Sequence, residues 1–399
     1  MRRAWSTRCA AALLAAGLLL TGCTPGQTGE ESSAGTATTE STAVTTGTTA
    51  STAAEQTAFV FEPYTWDLDN GTSDKVWVCP KSLENNTTMA EFIEVITDKS
   101  RWPKVFEHAV GLKLFIQQIA TTSVGNLRKI ADFVRENDLM VEVEVGGIRV
   151  CDENAPNDQM GENAAKKEFL CLFSFIRAGG RIDYITTDGS MAQYATGRIE
   201  SRKSMTLSEL AEQQMLYFRY MLDYMPNLKV GAIEAMGFFW IQGAERQYQA
   251  TDSTLDRLDF EEYIDTMQSV GERHGVRLSH FELDFNLAEI EYDGDYGRLL
   301  AAEDYCQSHG IYVGLIATNT FHKGFSPNAV VKDKEAAAHS AVTRAVQYFE
   351  GYRKAGGHCN YLVLQRWQPY PDRVGSEEEP DTCMGLFRQI VESPYFPGR

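Results

Sequence analysis

The chain has 399 residues, 43% of them hydrophobic, and a formal charge of −18. Such a length can bury a sizeable core, and the acid excess disfavours nucleic acid and anionic lipid headgroups as partners. No G-x-G-x-x-G, P-loop or H-E-x-x-H pattern occurs, and past the first residues no apolar run is long enough to cross a bilayer.

Arg2, Arg3 and Arg8 followed by the apolar run Ala10 to Leu20 have the layout of a secretory leader. The run ends in Leu20-Thr21-Gly22-Cys23, which resembles the lipobox of bacterial lipoproteins. The resemblance implies cleavage before Cys23, lipidation of its thiol and an extracytoplasmic protein anchored in the cell membrane. The competing expectation is an uncleaved anchor with an incidental cysteine. From Thr24 to about Ala58 the chain is Thr, Ser, Ala and Gly with no aromatic residue, too polar to offset its chain entropy by burial. It reads as a disordered tether spanning about 30 Å. The expected organisation is a leader over 1–22, a lipidated Cys23 and linker over 23–58, and one domain over 59–399.

That domain repeats a short apolar strand, a loop and an amphipathic helix. Strands are expected at Val76–Cys79, Leu112–Gln118, Met140–Val145, Ile182–Thr187, Lys229–Glu234, Leu278–Phe285, Ile311–Thr318 and Tyr361–Arg366. Helices are expected at Val124–Glu136, Ala164–Ala178, Leu207–Tyr224, Phe260–Arg273, Arg298–Ser308 and Lys334–Lys354. This alternation argues for right-handed βαβ units, and eight of them in about 340 residues point to a closed (β/α)8 TIM barrel. A doubly wound sheet with an extra strand is the alternative. Helix-to-strand links are short and turn-like, such as Asn137-Asp138 and His274-Gly275, whereas strand-to-helix links are long, such as 146–161, 189–206, 235–256 and 319–331. One face of the barrel is elaborated, and long loops carry function.

Six cysteines remain beyond Cys9 and Cys23, widely spaced and without a C-x-x-C pair. Buried free thiols are expected, with Cys79 and Cys151 the one pair whose strand-end positions invite a disulfide test.

Side chains alternate along a strand. In Val141-Glu142-Val143-Glu144-Val145 the valines must face the helices, sending Glu142 and Glu144 inward; the same logic sends His280, Glu282 and Asp284 inward, and Lys113 and Gln117. Lys113, Glu142, His280 and Glu282 are expected to satisfy one another below the mouth, since unpaired charge there is expensive. Glu144, Asp188, Glu234 and Asp284, each ending a strand, are expected to meet at one pocket. Two carboxylates across a pocket are what glycosidic bond cleavage requires, one protonated as the acid and one ionised as nucleophile or base. Asp188 is assigned the ionised role, Glu234 the acid, Asp284 the reserve, and Glu144 the shaping of the pocket. Each is alternatively a plain hydrogen-bonding group. Crowding of the acids raises one pKa and keeps the donor loaded.

Phe238, Phe239, Trp240 and Tyr248 follow the fifth strand, and Gln365-Arg366-Trp367-Gln368-Pro369-Tyr370 closes the eighth. Trp240 and Trp367 are candidate sugar-stacking platforms, and Gln117, Gln365 and Arg366 candidate ligand contacts. Packing within the loops is the alternative. Arg149 and Arg246 read as solvated surface charge.

Gly180-Arg181-Ile182-Asp183-Tyr184-Ile185-Thr186-Thr187-Asp188, Val230-Gly231-Ala232-Ile233-Glu234 and His280-Phe281-Glu282-Leu283-Asp284 together look like barrel strands of glycoside hydrolases. The resemblance implies hydrolysis of an oligo- or polysaccharide without a cofactor. A large group of retaining enzymes of this fold has acids after strands four and seven, whereas here strand seven ends Ala317-Thr318-Asn319. Two other readings stay open. His280, Glu282, Asp284, Glu234 and Glu144 also resemble the metal-dependent sugar isomerases and epimerases, with carboxylates suited to Mg²⁺ or Mn²⁺. A non-catalytic carbohydrate-binding lipoprotein would need the aromatic loops but no catalytic pair.

Overall fold

A computed structural model of the protein describes residues 74–80, 86–202, 204–244, 257–317, 333–366 and 369–397. The leader, Cys23, the 23–58 linker, Arg246, Tyr248, Trp367 and the Thr318-Asn319 end of the seventh strand lie outside them.

Eight strands, β1 Val76–Cys79, β2 Ala109–Phe115, β3 Met140–Val145, β4 Tyr184–Asp188, β5 Lys229–Ala235, β6 Leu278–Asp284, β7 Tyr312–Leu315 and β8 Tyr361–Gln365, close into a parallel barrel. Each pairs with the next in sequence, and β8 returns to β1. The helices Asn86–Ile96, Val124–Glu136, Met160–Arg177, Leu207–Tyr224, Phe260–His274, Gly297–Ser308, Lys334–Lys354 and Cys383–Val391 follow the strands in order. This is the expected (β/α)8 architecture.

Local chemistry sets the helix limits. Val124–Glu136 opens on Ser123, whose side chain accepts from the Asn126 amide, and buries Leu127, Ile130, Ala131 and Val134 at helical spacing. Leu207–Tyr224 opens on a reciprocal Thr206–Glu209 capping box. Helices that escape the pattern reading include Asn86–Ile96, Leu287–Asp293 and Cys383–Val391. The second strand is displaced by three residues toward the N-terminus from the expected Leu112–Gln118. The Gln118 side chain accepts the Phe115 amide at 2.9 Å and starts a helix at Ile116, so the strand ends at Phe115.

Two layers of core follow from strand alternation. Val76, Val78, Leu112, Leu114, Val141 and Val143 face the helices. Trp77, Met140, Ile233, Ile316, Tyr361 and Val363 pack against one another inside the barrel. The lower interior is aromatic, with Tyr184 edge-on to both Trp77 and His280 at 5.3 Å. Gly231 makes room there, because a Cβ at that position would lie 2.2 Å from the His280 ring.

All six cysteines within the described residues are free thiols. Cys79 lies buried among the interior charges, while the Cys151 sulfur sits 3.8 Å from the Tyr194 hydroxyl. The Cys79–Cys151 bridge is therefore not formed.

The loop after β3 turns sharply at Gly147, which has φ +58° and would place a Cβ 2.9 Å from Thr187, Ser190 and Gln214 side chains. Gly147→Ala is expected to destabilise the protein by more than about 1 kcal/mol, because it adds left-handed strain to steric overlap. Urea unfolding with an unchanged slope and a lowered midpoint checks this.

Candidate active site

Below the mouth, Lys113 from β2 is wholly buried, with its ammonium 3.1 Å from Glu142 Oε1, 3.5 Å from Glu144 Oε2 and in close hydrogen-bond contact with Glu282. Thr186 donates to Glu142 at 2.6 Å and lies 2.9 Å from His280 Nε2, whose other ring nitrogen is 2.8 Å from the Ser279 hydroxyl. Burial pushes His280 down to about 4, so its imidazole is neutral. Burial and then the adjacent Glu142 hold Glu282 well above the carboxylate range. Burial opposes ionisation of Glu142, but Lys113, with the hydrogen bond from Thr186, outweighs it and lowers its pKa. One ammonium thus faces one carboxylate, and the third group carries a proton. These four groups do gather below the mouth as expected, though Glu142 Oε2 and Glu282 Oε1 are buried without a hydrogen bond from outside this carboxyl pair. The ammonium occupies the oxygens a metal would take, and among the described residues no three His, Cys, Asp or Glu side chains gather to hold an ion.

One step higher, Glu144 accepts from the Gln365 amide at 2.9 Å, a bond that reaches across the barrel from β8 to β3. Burial, with Asp188 adding to it against Lys113 and Gln365, pushes Glu144 up to about 7. Asp188 ends β4, and its Oδ2 accepts from Arg149 Nη2 at 2.9 Å. Glu144 is aligned with Thr186 on the neighbouring strand. Asp188 is two residues further, which places the two Cα atoms about 8 Å apart on the same inward face. The Glu144 side chain is 11% exposed and that of Asp188 36%, so the pair opens to solvent at the mouth. Asp284, aligned with Ala235, ends β6 on the face that carries His280 and Glu282.

Glu234 is not part of this mouth. Ile233 packs inside the barrel, and Asp188 is aligned with it. Alternation then turns Glu234 outward, where it is fully buried against the Phe260–His274 helix and accepts from the Tyr263 hydroxyl at 2.6 Å. Asp188 and Glu234 thus do not share the inward face, although Asp188 adds to the burial that raises Glu234 and Arg149 opposes it. Glu234→Gln is accordingly expected to change turnover on any substrate less than about tenfold, well short of an acid–base loss. A kinetic comparison of purified proteins decides this.

Arg366 is corrected for the same reason. Tyr361 and Val363 face inward, as does Gln365, so Arg366 points to the helix layer, buried near Cys383, with burial lowering it to about 10. Gln117 lies exposed on the helix Ile116–Thr121 rather than on a strand. Trp240 is 48% exposed and stacks under the Arg257 guanidinium at 4.3 Å. Phe238 and Phe239 are buried; Phe239 packs edge-on against Phe260 and Tyr263, the loop-packing alternative. Arg149, read as surface charge, is instead the partner of Asp188.

Buried carboxyls also set a pH dependence for the fold. Burial raises Glu144, Glu168 and Glu289 to about 7 and Glu234 to about 8, all from 4.5. Between pH 4.5 and 8 the folded state binds more protons than the unfolded chain, so stability falls as pH rises through this window. The thermal midpoint is expected to be higher at pH 5.5 than at pH 8.5. Scanning calorimetry showing the reverse order would contradict the assignment of these groups.

The class so defined is a (β/α)8 barrel with titratable acids at the C-terminal ends of its strands. No protein-family model and no curated protein matches the chain. Solved structures that match include apo 3-keto-D-glucoside 4-epimerase YcjR from E. coli, at 11% identity and TM-score 0.41 over 79% of this chain and 98% of that one. Native xylanase10C from Cellvibrio japonicus matches at 11% identity and TM-score 0.43, over 82% and 71% of the two chains. A psychrophilic glycoside hydrolase family 10 endo-β-1,4-xylanase matches at 13% identity and TM-score 0.44, over 80% and 96%. Likeness at this level reaches no further than the barrel.

Proposed function

We propose that the protein is an extracytoplasmic, lipid-anchored glycoside hydrolase-like enzyme that cleaves an oligo- or polysaccharide by carboxylate acid–base chemistry. The carrying observation is Glu144, raised to about 7 beside an Asp188 that is ion-paired to Arg149. In this reading Glu144 replaces Glu234 as the proton donor to the leaving oxygen. Asp188 is the charged partner, and Asp284 is the third acid facing the substrate. Gln365 orients Glu144, and Trp240 and Trp367 supply apolar surface to sugar rings from their loops. Lipidation at Cys23 and the 23–58 tether hold the domain at the outer face of the membrane.

The test is hydrolysis of a glycan panel by the wild type and Asp188→Asn. Loss of about 10²–10⁴ in turnover is expected for the variant. Equal rates remove Asp188 from the mechanism. Saturable glycan binding without hydrolysis by the wild type replaces the enzyme with a carbohydrate-binding lipoprotein. Incorporation of labelled fatty acid that is abolished by Cys23→Ala tests the anchor.

A further inference from the structure

Glu168 lies outside the barrel on the Met160–Arg177 helix, yet it is 2% exposed and carries three hydrogen bonds. Its Oε1 accepts from the Gly146 amide at 2.7 Å, and its Oε2 from the Gly147 amide at 3.1 Å and from the Tyr217 hydroxyl at 2.7 Å. Gly146 and Gly147 are the two residues that follow β3, and Gly147 begins the short 3-10 turn Gly147–Val150 that carries Arg149. Arg149 in turn donates to Asp188 and feels the charges of Asp188, Glu144 and Glu168.

We propose that Glu168 is a positioning residue, clamping the turn after β3 so that the Arg149 guanidinium is delivered to Asp188. A carboxylate suits this task because both of its oxygens accept, so each can hold one turn amide at once. Neither amide is paired within a strand, and the turn is otherwise held by the Arg149 amide on the Gly146 carbonyl at 3.3 Å, by Lys167 on the Val150 carbonyl at 3.2 Å, and by packing against Thr187, Ser190 and Gln214. The inference takes the Glu144–Asp188 mouth as the working site, but its test reads the mouth without substrate.

The experiment follows the Arg149 guanidinium by nitrogen-15 NMR of the full-length protein at pH 9, where Glu168 is ionised. Glu168→Gln presents one acceptor and one donor to two amides, so one turn bond is lost and Arg149 moves from Asp188. The separate Arg149 Nη signals fixed by the Asp188 bond are expected to broaden and merge. Glu168→Asp keeps the charge on a shorter arm and is expected to give a smaller change of the same kind, which serves if Glu168→Gln fails to fold. Tyr217→Phe removes the third donor and leaves both turn bonds, so the Arg149 signals should not move.

Glu303→Gln is the control for stability alone. Glu303 is equally buried, accepting from Tyr352 and the His358 amide at the opposite end of the barrel. It should lower the thermal midpoint while leaving the Arg149 signals unchanged. The proposal is overturned if folded Glu168→Gln and Glu168→Asp both keep the wild-type Arg149 signals, or if Glu303→Gln alters them as far. Because no glycan is present, a failed hydrolase reading leaves this result standing, and the reverse holds too.

Discussion

Glu144→Gln is expected to lower turnover on any hydrolysed glycan by about 10²–10⁴-fold while leaving the fold intact. The amide keeps the size and the hydrogen bond from Gln365, but it has no proton to give. In the wild type, Glu144 at about 7 places the alkaline limb of the rate profile near neutrality, since the donor must be protonated to act. Asp188 is one of the groups that raise Glu144. The residual activity of Asp188→Asn should therefore show its alkaline limb at lower pH. An alkaline limb that stays in place in Asp188→Asn, or full turnover in Glu144→Gln, would give the proton to another group.

Lys113→Met is expected to destabilise the barrel by about 3–5 kcal/mol, the cost of leaving a buried charge without its partner. The ammonium faces Glu142, Glu144 and Glu282 and is the cation that keeps Glu142 ionised. Its loss forces a proton onto Glu142 and raises Glu144 as well, because Lys113 is what holds Glu144 down. The double variant Lys113→Met/Glu142→Gln removes both charges and should recover part of the loss. Urea unfolding midpoints of the three proteins measure this. A Lys113→Met protein as stable as the wild type would mean the interior is solvated rather than held by ion pairing.

The two strands that best reveal their inward face do so for a simple reason. In β3, Val141-Glu142-Val143-Glu144-Val145 alternates without exception, so the valines can only face the helices and Glu142 and Glu144 can only face the axis. The same holds for His280, Glu282 and Asp284 in β6. In β5, Val230-Gly231-Ala232-Ile233 is apolar at every position and buried on both faces, which leaves the phase of the alternation open. Alternation by itself therefore allows Glu234 to face either the axis or the helices. Gln365 and Arg366 are consecutive and cannot both point inward; nothing in Tyr361-Leu362-Val363-Leu364 says which one does.

The residues missed altogether bear on the site through contacts distant in sequence. Glu168 shares a helical stripe with Ala164, Leu172 and Phe175, all buried, so an acid on an apolar face was a readable signal. Its partners were not, because Gly146, Gly147 and Tyr217 reach it from another loop and another helix.

Period and composition thus determined the eightfold βα rhythm, the side of the barrel that carries long loops, and the inward acids of β3 and β6. These are local properties, since alternation and helical spacing act over a few residues. The tertiary structure alone decided that Glu234 and Arg366 turn outward, that Arg149 turns inward to Asp188, and that Glu144 is the acid held near neutrality. Which face of an all-apolar strand points to the axis is set by barrel closure, and a carboxyl's proton affinity by burial and by charges brought from other strands.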